Sequence, residues 1–401
     1  MSSPSPLDEQ VDEDLASADR RTRPPSARGA RSAIARLKLG MNWRSGLVVP
    51  LLALLSALVV GALIVLLAGV SIGETLSAYR AMLVGSVGSP GAISETLTAA
   101  TPLILAGLSV ALAFRAGLFN IGAEGQMLIG GMFGVLIGFS LTGLPVFIHL
   151  PLAMLAGCLG GALWGLIPGL LKARAGAHEV IVTIMLNFIA LRLVDYGLKT
   201  DLFQREGRND PISKNIEVSA ELPQLLAWLD PSLRVHLGLV VALVAAGLIQ
   251  WLLLRSTTGF EFRAVGANSA AARYAGMSIS KVYILVMVLC GGLAGIAGTG
   301  QVLGVLDRAS PRFSAGIGFD GIAVALLGRS NPWGVVAAAV LFGGLRAGGQ
   351  KMQVSTGVGI DLIAVIQALI IIFVAAPAMI RALYRLKTSA ETTRIGAGWN
   401  S

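Results

Sequence analysis

Long apolar runs, broken by short polar stretches, dominate the chain. Ser45–Gly73 contains no Asp, Glu, Lys or Arg, and neither does Gly125–Leu171. A membrane-crossing helix takes about 20 apolar residues, so the second run holds two, with Thr142-Gly143-Leu144-Pro145 as the turn. A β-barrel would show short alternating segments instead. The pattern predicts spans at Gly46–Val70, Leu97–Phe114, Gln126–Leu141, Ile148–Leu171, His178–Leu198, Leu237–Leu254 and Val282–Leu303. Two short pieces follow, Phe319–Leu327 and Trp333–Arg346, around a break at Gly328–Pro332, and then a last span at Ile360–Ile380. An amphipathic external segment around Thr75–Val84 precedes the second span. The expected fold is all-α, a polytopic transmembrane helical bundle with discontinuous helices and about nine to ten membrane segments.

Composition agrees. Of 401 residues, 55% are hydrophobic and 13% charged, against about 25% charged in soluble proteins. With 50 Gly, close small-residue contacts between helices are available. The net charge of +9 does not point to nucleic acid. The basic residues flank spans, as the positive-inside rule expects. Residues 1–19 hold six acidic and no basic side chains, and residues 20–44 hold eight basic and no acidic ones. Residues 1–44 therefore read as a disordered cytoplasmic tail, 45–380 as the transmembrane domain, and 381–401 as a cytoplasmic C-terminal tail. Both termini, Lys172, Arg174 and the segment Arg255–Lys281 are then inside, and the loop from Lys199 to His236 outside. In that loop Leu222, Leu225, Leu226 and Leu229 follow helical spacing and predict a short surface helix. Cys158 and Cys290 fall in spans as small core residues, and His149, His178 and His236 share no metal-ligand spacing, so no metal site is expected.

Two polar interruptions carry the candidate chemistry. The first, FRAGLFNIGAEGQ (Phe114–Gln126), places Arg115, Asn120, Glu124, Gln126 and three glycines between two apolar runs. Gly117, Gly122 and Gly125 permit an irregular backbone break. Asn120 and Gln126 offer donors and acceptors suited to a neutral hydroxylated solute. A polar loop and a break lining a transport path both account for it. In the second, Asp320 opens an uncharged piece too short to span, closed by Arg329. An ionisable residue there is either functional or a helix cap paired with an arginine. Arg192 and Asp195, three apart, predict a local ion pair.

Between two spans, Arg255–Lys281 carries net charge +3. Asn268 is a good N-cap, Ser269–Ala275 a short helix and Gly276 a good stop. Its exposed face offers Arg273 and Tyr274 to a partner's groove. The chain has no phosphate-cradling G-x-x-x-x-G-K-[ST], no H-E-x-x-H and no G-x-S-x-G, so an enzyme is poorly supported.

Several stretches, in order along Leu97–Ile380, resemble the permease subunits of bacterial ABC importers for nucleosides and simple sugars. They are FRAGLFNIGAEGQMLIGG (Phe114–Gly131), AHEVIVTIMLNFIA (Ala177–Ala190), GFEFRAVGANSAAARYAGMS (Gly259–Ser278), GGLAGIAG (Gly291–Gly298) and FDGIAVALLG (Phe319–Gly328). The first is most like the nucleoside branch, in which two different permease chains usually pair. The resemblance implies a transport subunit of the bacterial cytoplasmic membrane that binds no cofactor itself. A cytoplasmic ATPase would hold ATP and Mg, and an extracellular solute-binding lipoprotein would deliver the solute. It makes Asn268, Arg273, Tyr274 and Gly276 the ATPase coupling helix. It makes the interruption at Gly117–Gln126 part of the central gate region. The residues expected on the substrate pathway are then Asn120, Glu124, Gln126, Asn187 and Asp320, with Gly117, Gly122 and Gly125 as the backbone break. The alternatives are a branched-chain amino acid permease, or a stand-alone secondary transporter coupled to ions through Glu124 and Asp320.

Overall fold

The computed structural model describes residues 43–67, 69–357, 364–366, 368–369 and 372–373. Nearly all of the expected N-terminal tail, most of the last expected span (Ile360–Ile380) and the tail at 381–401 lie outside the described residues. The chain divides into two units, Met1–Leu51 and Leu52–Ser401, and the bundle is the second. Its described helices are α1 (Trp43–Leu67, from Leu52 onward), α2 (Ile72–Val87), α3 (Pro90–Arg115), α4 (Ala123–Ser140), α5 (Val146–Ala175) and α6 (Glu179–Gly197). They continue with α7 (Gly238–Arg255), α8 (Thr257–Ala267), α9 (Ser269–Tyr274), α10 (Ile279–Gln301), α11 (Ile317–Leu327) and α12 (Pro332–Thr356). Among the described residues six helices, α3 to α7 and α10 with its extension to Leu306, are long and apolar enough to cross a membrane. Leu52–Leu67 and α11 are shorter apolar helices.

Two helices form the centre. α3 is the most buried of the candidate spans and packs on α12, α11, α10 and α7. Ser89 caps its start by accepting the Ala92 amide at 3.1 Å, with Pro90 in the first turn, where a missing N–H costs nothing. α10 makes its broadest contact with α5. That contact is glycine on glycine. A Cβ at Gly161 of α5 would lie 2.7 Å from the Gly295 Cα of α10 and closer still to the Gly291 carbonyl oxygen. In lipid, where apolar burial does not drive helices together, such close backbone approach supplies the packing energy. Around this pair, one core joins α2, α3, α7, α8, α10, α11 and α12. A second joins α4, α5, α6 and the α6–α7 loop.

Several sequence expectations change. The segment expected around Thr75–Val84 is the whole of α2, closed by a Ser71–Glu74 capping box, with Thr75, Ala78 and Met82 buried. The piece expected at Trp333–Arg346 runs on to Thr356. Arg346, Gln350 and Lys351 end the apolar run without ending the helix, because Asp320 pairs with Arg346 and the other two are exposed. The leucines at 222, 225, 226 and 229 form no helix. Pro223 interrupts them, Gln224 makes a β-bridge with His236, and Leu225 donates its amide to the Val235 carbonyl at 2.8 Å. Leu222 is buried in the second core and Leu229 exposed. Arg192 and Asp195 form the expected local pair at 3.7 Å.

In the same loop His236 is buried against Gly304. Its Nδ1 accepts the Gly238 amide at 3.2 Å, and its Nε2 has no hydrogen-bond partner among the described residues. Burial first, and the charge of Arg234 second, lower its pKa from 6.5 to about 4. The fold therefore holds the neutral ring, while the unfolded chain takes up a proton near pH 6.5. The stability from this residue is whole above that pH and is lost as pH falls towards about 4. Thermal unfolding of the detergent-purified protein across this window is expected to show a falling midpoint, and His236→Gln is expected to flatten the slope. An unchanged slope in the variant would remove His236 as its cause.

Candidate functional site

The first interruption is a compact turn, residues 116–122, between α3 and α4. Gly117 takes φ +72°, and a Cβ there would press on Gly266 of α8 at 3.1 Å. Both the hand of the turn and the close approach require glycine. Asn120 donates to the Gln126 side-chain oxygen at 2.9 Å, and Gln126 donates back at 3.3 Å. Asn120 also donates to Ser109 at 3.3 Å and accepts the Gly122 amide at 3.0 Å. Asn187 of α6 accepts the Gly125 amide at 2.8 Å and donates to the Ile121 carbonyl at 2.9 Å. It thus satisfies one of the free donors at the start of α4. Phe119 packs edge-on to Phe114, with ring centroids 5.1 Å apart.

The second interruption holds α11, and the first reaches both of its ends. Glu124 is buried and accepts hydrogen bonds from the Ser314 hydroxyl and from the Gly318 amide, the latter at 2.8 Å. A carboxylate at a helix N-terminus meets unpaired amides and the positive end of the dipole. At the other end, Arg115 donates through Nε to the Ser330 carbonyl at 2.8 Å. All five described non-glycine residues with positive φ, namely Asp307, Arg312, Ala315, Arg329 and Ser330, lie in the segments flanking α11. Left-handed backbone at such residues is strained and persists where surrounding contacts enforce it. The Arg115 bond to Ser330 is such a contact, and the Glu124 bonds hold Ser314 and Gly318 on either side of Ala315.

Asp320 sits one turn into α11 and pairs with Arg346 Nη2 of α12 at 2.6 Å. The arginine also donates to the Ala315 carbonyl at 3.4 Å. Arg346 lines a cleft of about 230 Å³ with Glu95, Thr98, Gln301 and Gln350. The cleft lies by the C-terminal end of α10, whose last turns pass into a π-helix at Val302–Leu306. π-Helical turns inside helices recur at functional sites.

At the opposite end of α10, α8 and α9 connect it to α7. Asn268 caps α9 as expected, accepting the Ala271 amide at 2.9 Å. Gly276 takes φ +83°, its amide reaches the Arg273 carbonyl at 2.9 Å, and Met277 reaches Ala272 at 3.0 Å. This is a Schellman stop. Arg273 is exposed, and Tyr274 is 96% exposed. The eleven-residue helix α8, capped by Ser256, was not anticipated, although the Ser256-Thr257-Thr258 start was a legible N-cap signal.

Of the five residues placed on the substrate pathway, Asn120, Glu124, Gln126 and Asn187 come together at the start of α4, and Asp320 stands apart beside Arg346. Asn120 and Gln126 are 1% and 0% exposed and bonded to each other. Their amides brace the turn. The cleft residues Glu95, Gln301, Arg346 and Gln350 escaped the sequence reading, because each lies inside or beside a helix with no local motif. Among the described residues no cluster of His, Cys, Asp or Glu could hold a metal ion.

A helical membrane bundle with discontinuous helices beside a polar cleft is an architecture that transport proteins use. The chain belongs to the family described as branched-chain amino acid transport system / permease component, which matches residues 92–375. The guanosine ABC transporter permease NupP of Bacillus subtilis is 45% identical over 84% of this chain and 95% of its own length. The glucose ABC transporter permease TsgB13 of Haloferax volcanii is 39% identical over 81% and 86%, and the nucleoside permease NupB of Lactococcus lactis 35% over 87% and 97%. In each of these organisms a second permease also matches, at 27–29% identity. No solved structure matches. The resemblance to ABC importer permeases is thereby borne out, and the chain is a membrane-spanning transport subunit.

Proposed function

We propose that the chain is one of two unlike permease subunits of an ABC importer carrying nucleosides or related sugars across a bacterial cytoplasmic membrane. The observation that carries the reading is α9, a doubly capped, exposed helix between two spans, in a chain 45% identical to a guanosine permease along nearly its whole length. A cytoplasmic ATPase binds ATP and Mg and receives α9, so that both termini face the same side. An extracellular lipoprotein delivers the solute to the opposite face. The second, less similar permease in each related organism supports a heterodimer. ATP-driven closure of the ATPase moves α9, the contact of Gly266 with Gly117 passes the motion to the turn, and Arg115 and Glu124 on either side of the turn carry the two ends of α11. The bundle then opens alternately to each side.

Guanosine, other nucleosides and glucose, the solutes in the names of these relatives, share a hydroxylated ring. That favours nucleosides and sugars over the branched-chain amino acids of the family description. The test is ATP-dependent uptake of labelled guanosine, with ribose, glucose and leucine as competitors, by the purified complex in proteoliposomes. Gly276→Val, which forces a β-branched residue into left-handed backbone, and Arg273→Ala are expected to cut uptake while ATP hydrolysis continues and the protein inserts normally. Normal uptake by both variants at normal protein level would remove α9 as the coupling element. Uptake that persists on an ion gradient without ATP would favour a stand-alone carrier.

A further inference from the structure

The cleft between α3, α10 and α12 stands about 33 Å from α9, since α10 climbs about 1.5 Å per residue between them. It therefore lies toward the face opposite the proposed ATPase. Its polar groups are unlike those of the tightly bonded turn at Asn120. Gln350 is exposed, Gln301 and Glu95 are half-buried, and Arg234 stands 3.5 Å from the Glu95 carboxylate. Pro102, also in the lining, has no N–H, so the carbonyl of Thr98 lacks its helical donor and remains an acceptor at the cleft wall. The Thr98 hydroxyl is used inside α3, bonded to Ser94 at 2.8 Å. The wall thus offers a carbonyl, a carboxylate and two amides, each able to accept from a hydroxyl, with the amides and Arg346 able to donate. Among the described residues no aromatic ring lines it. Its volume of about 230 Å³ is below the roughly 300–1,000 Å³ of pockets that enclose whole drug-sized ligands.

We infer that this cleft is a sugar-ring station, in which Glu95, Gln301, Gln350 and the Thr98 carbonyl bind the hydroxyls of the solute while the rest of it stays outside. The inference rests on the nucleoside and sugar reading, and it adds that selection falls on the ring hydroxyls rather than on the base. A vicinal diol matches a carboxylate or a primary amide in two parallel hydrogen bonds, whereas a base without an aromatic platform gains little here. The Asp320–Arg346 pair ties the station to α11, so that movement of α11 reshapes it.

The test uses the full complex. Gln301→Leu and Gln350→Leu are each expected to raise the KM for guanosine about fivefold, the equivalent of about 1 kcal/mol for one neutral hydrogen bond. In a Cys158→Ala background, Gln350→Cys is expected to react with a charged thiol reagent added outside. Ribose and guanosine should slow that reaction, and guanine should not. Unchanged KM in both leucine variants, or protection by guanine equal to that by ribose, overturns the station. A wild-type complex that imports no guanosine overturns the nucleoside reading instead, and the ribose arm of the labelling still decides the cleft.

Discussion

Gly161→Val is expected to leave no folded protein in detergent extracts of the membrane, while Gly247→Val is expected to be recovered at the wild-type level. Both glycines sit in the interior of apolar helices, so helix propensity and hydropathy treat them alike. They differ in what a side chain would meet. At Gly161 the first added carbon would overlap the Gly291 carbonyl oxygen and lie 2.7–2.8 Å from the Gly295 backbone, whereas at Gly247 nothing among the described residues stands within 4 Å. Overpacking costs about 1–3 kcal/mol where side chains can yield. Here the opposing atoms are backbone, which yields only if α5 and α10 separate. That contact is the broadest in the bundle, so separation is loss of the fold. Size-exclusion profiles of the two variants decide the matter, and a normal profile for Gly161→Val would show that the helices do not meet there.

The second large effect concerns Glu124. Glu124→Leu preserves bulk but leaves the Ser314 hydroxyl and the Gly318 amide buried without an acceptor. Hydrogen bonds to a charged group contribute about 1.5–3 kcal/mol each, and orphaned donors add to the cost. The variant is expected to lose about 2–4 kcal/mol in denaturant unfolding, allowing for the smaller net values found within membranes. Glu124→Gln keeps one acceptor and should lose roughly half as much. Transport should fall in proportion to the folded fraction and to the freedom gained by α11. Full stability with lost transport in Glu124→Leu would instead make Glu124 a solute- or ion-contacting group, as the pathway reading from sequence held.

That outcome bears on how the interruption Phe114–Gln126 was legible. Its irregular backbone was evident from its glycines, but only Gly117 takes left-handed backbone; Gly122 has an ordinary negative φ, and Gly125 lies inside α4, where its missing Cβ lets Asn187 approach. Its polar residues were evident from their isolation among apolar ones. Their partners were not evident. Glu124 bonds a residue 190 positions away, and Arg115 one 215 positions away. No local pattern encodes such a pairing. The amides of Asn120 and Gln126 suited a solute as well as they suit each other, and only burial distinguishes the two.

The sequence by itself determined what depends on neighbours along the chain. Apolar run length set the helical membrane class, Asn268 and Gly276 set the ends of α9, and the Gly328–Pro332 break set the end of α11, because caps, turns and hydropathy act over a few residues. Tertiary structure decided what depends on residues brought together from afar. It carried α12 past Arg346 by giving that charge Asp320 as a partner, and it kept Leu222–Leu229 from forming a helix by pairing that stretch with Val235 and His236. It also assembled the cleft from three helices that share no motif. The physical reason is the same in each case: a buried or half-buried polar group takes its energy from its partner, and the partner's identity exists only in the folded chain.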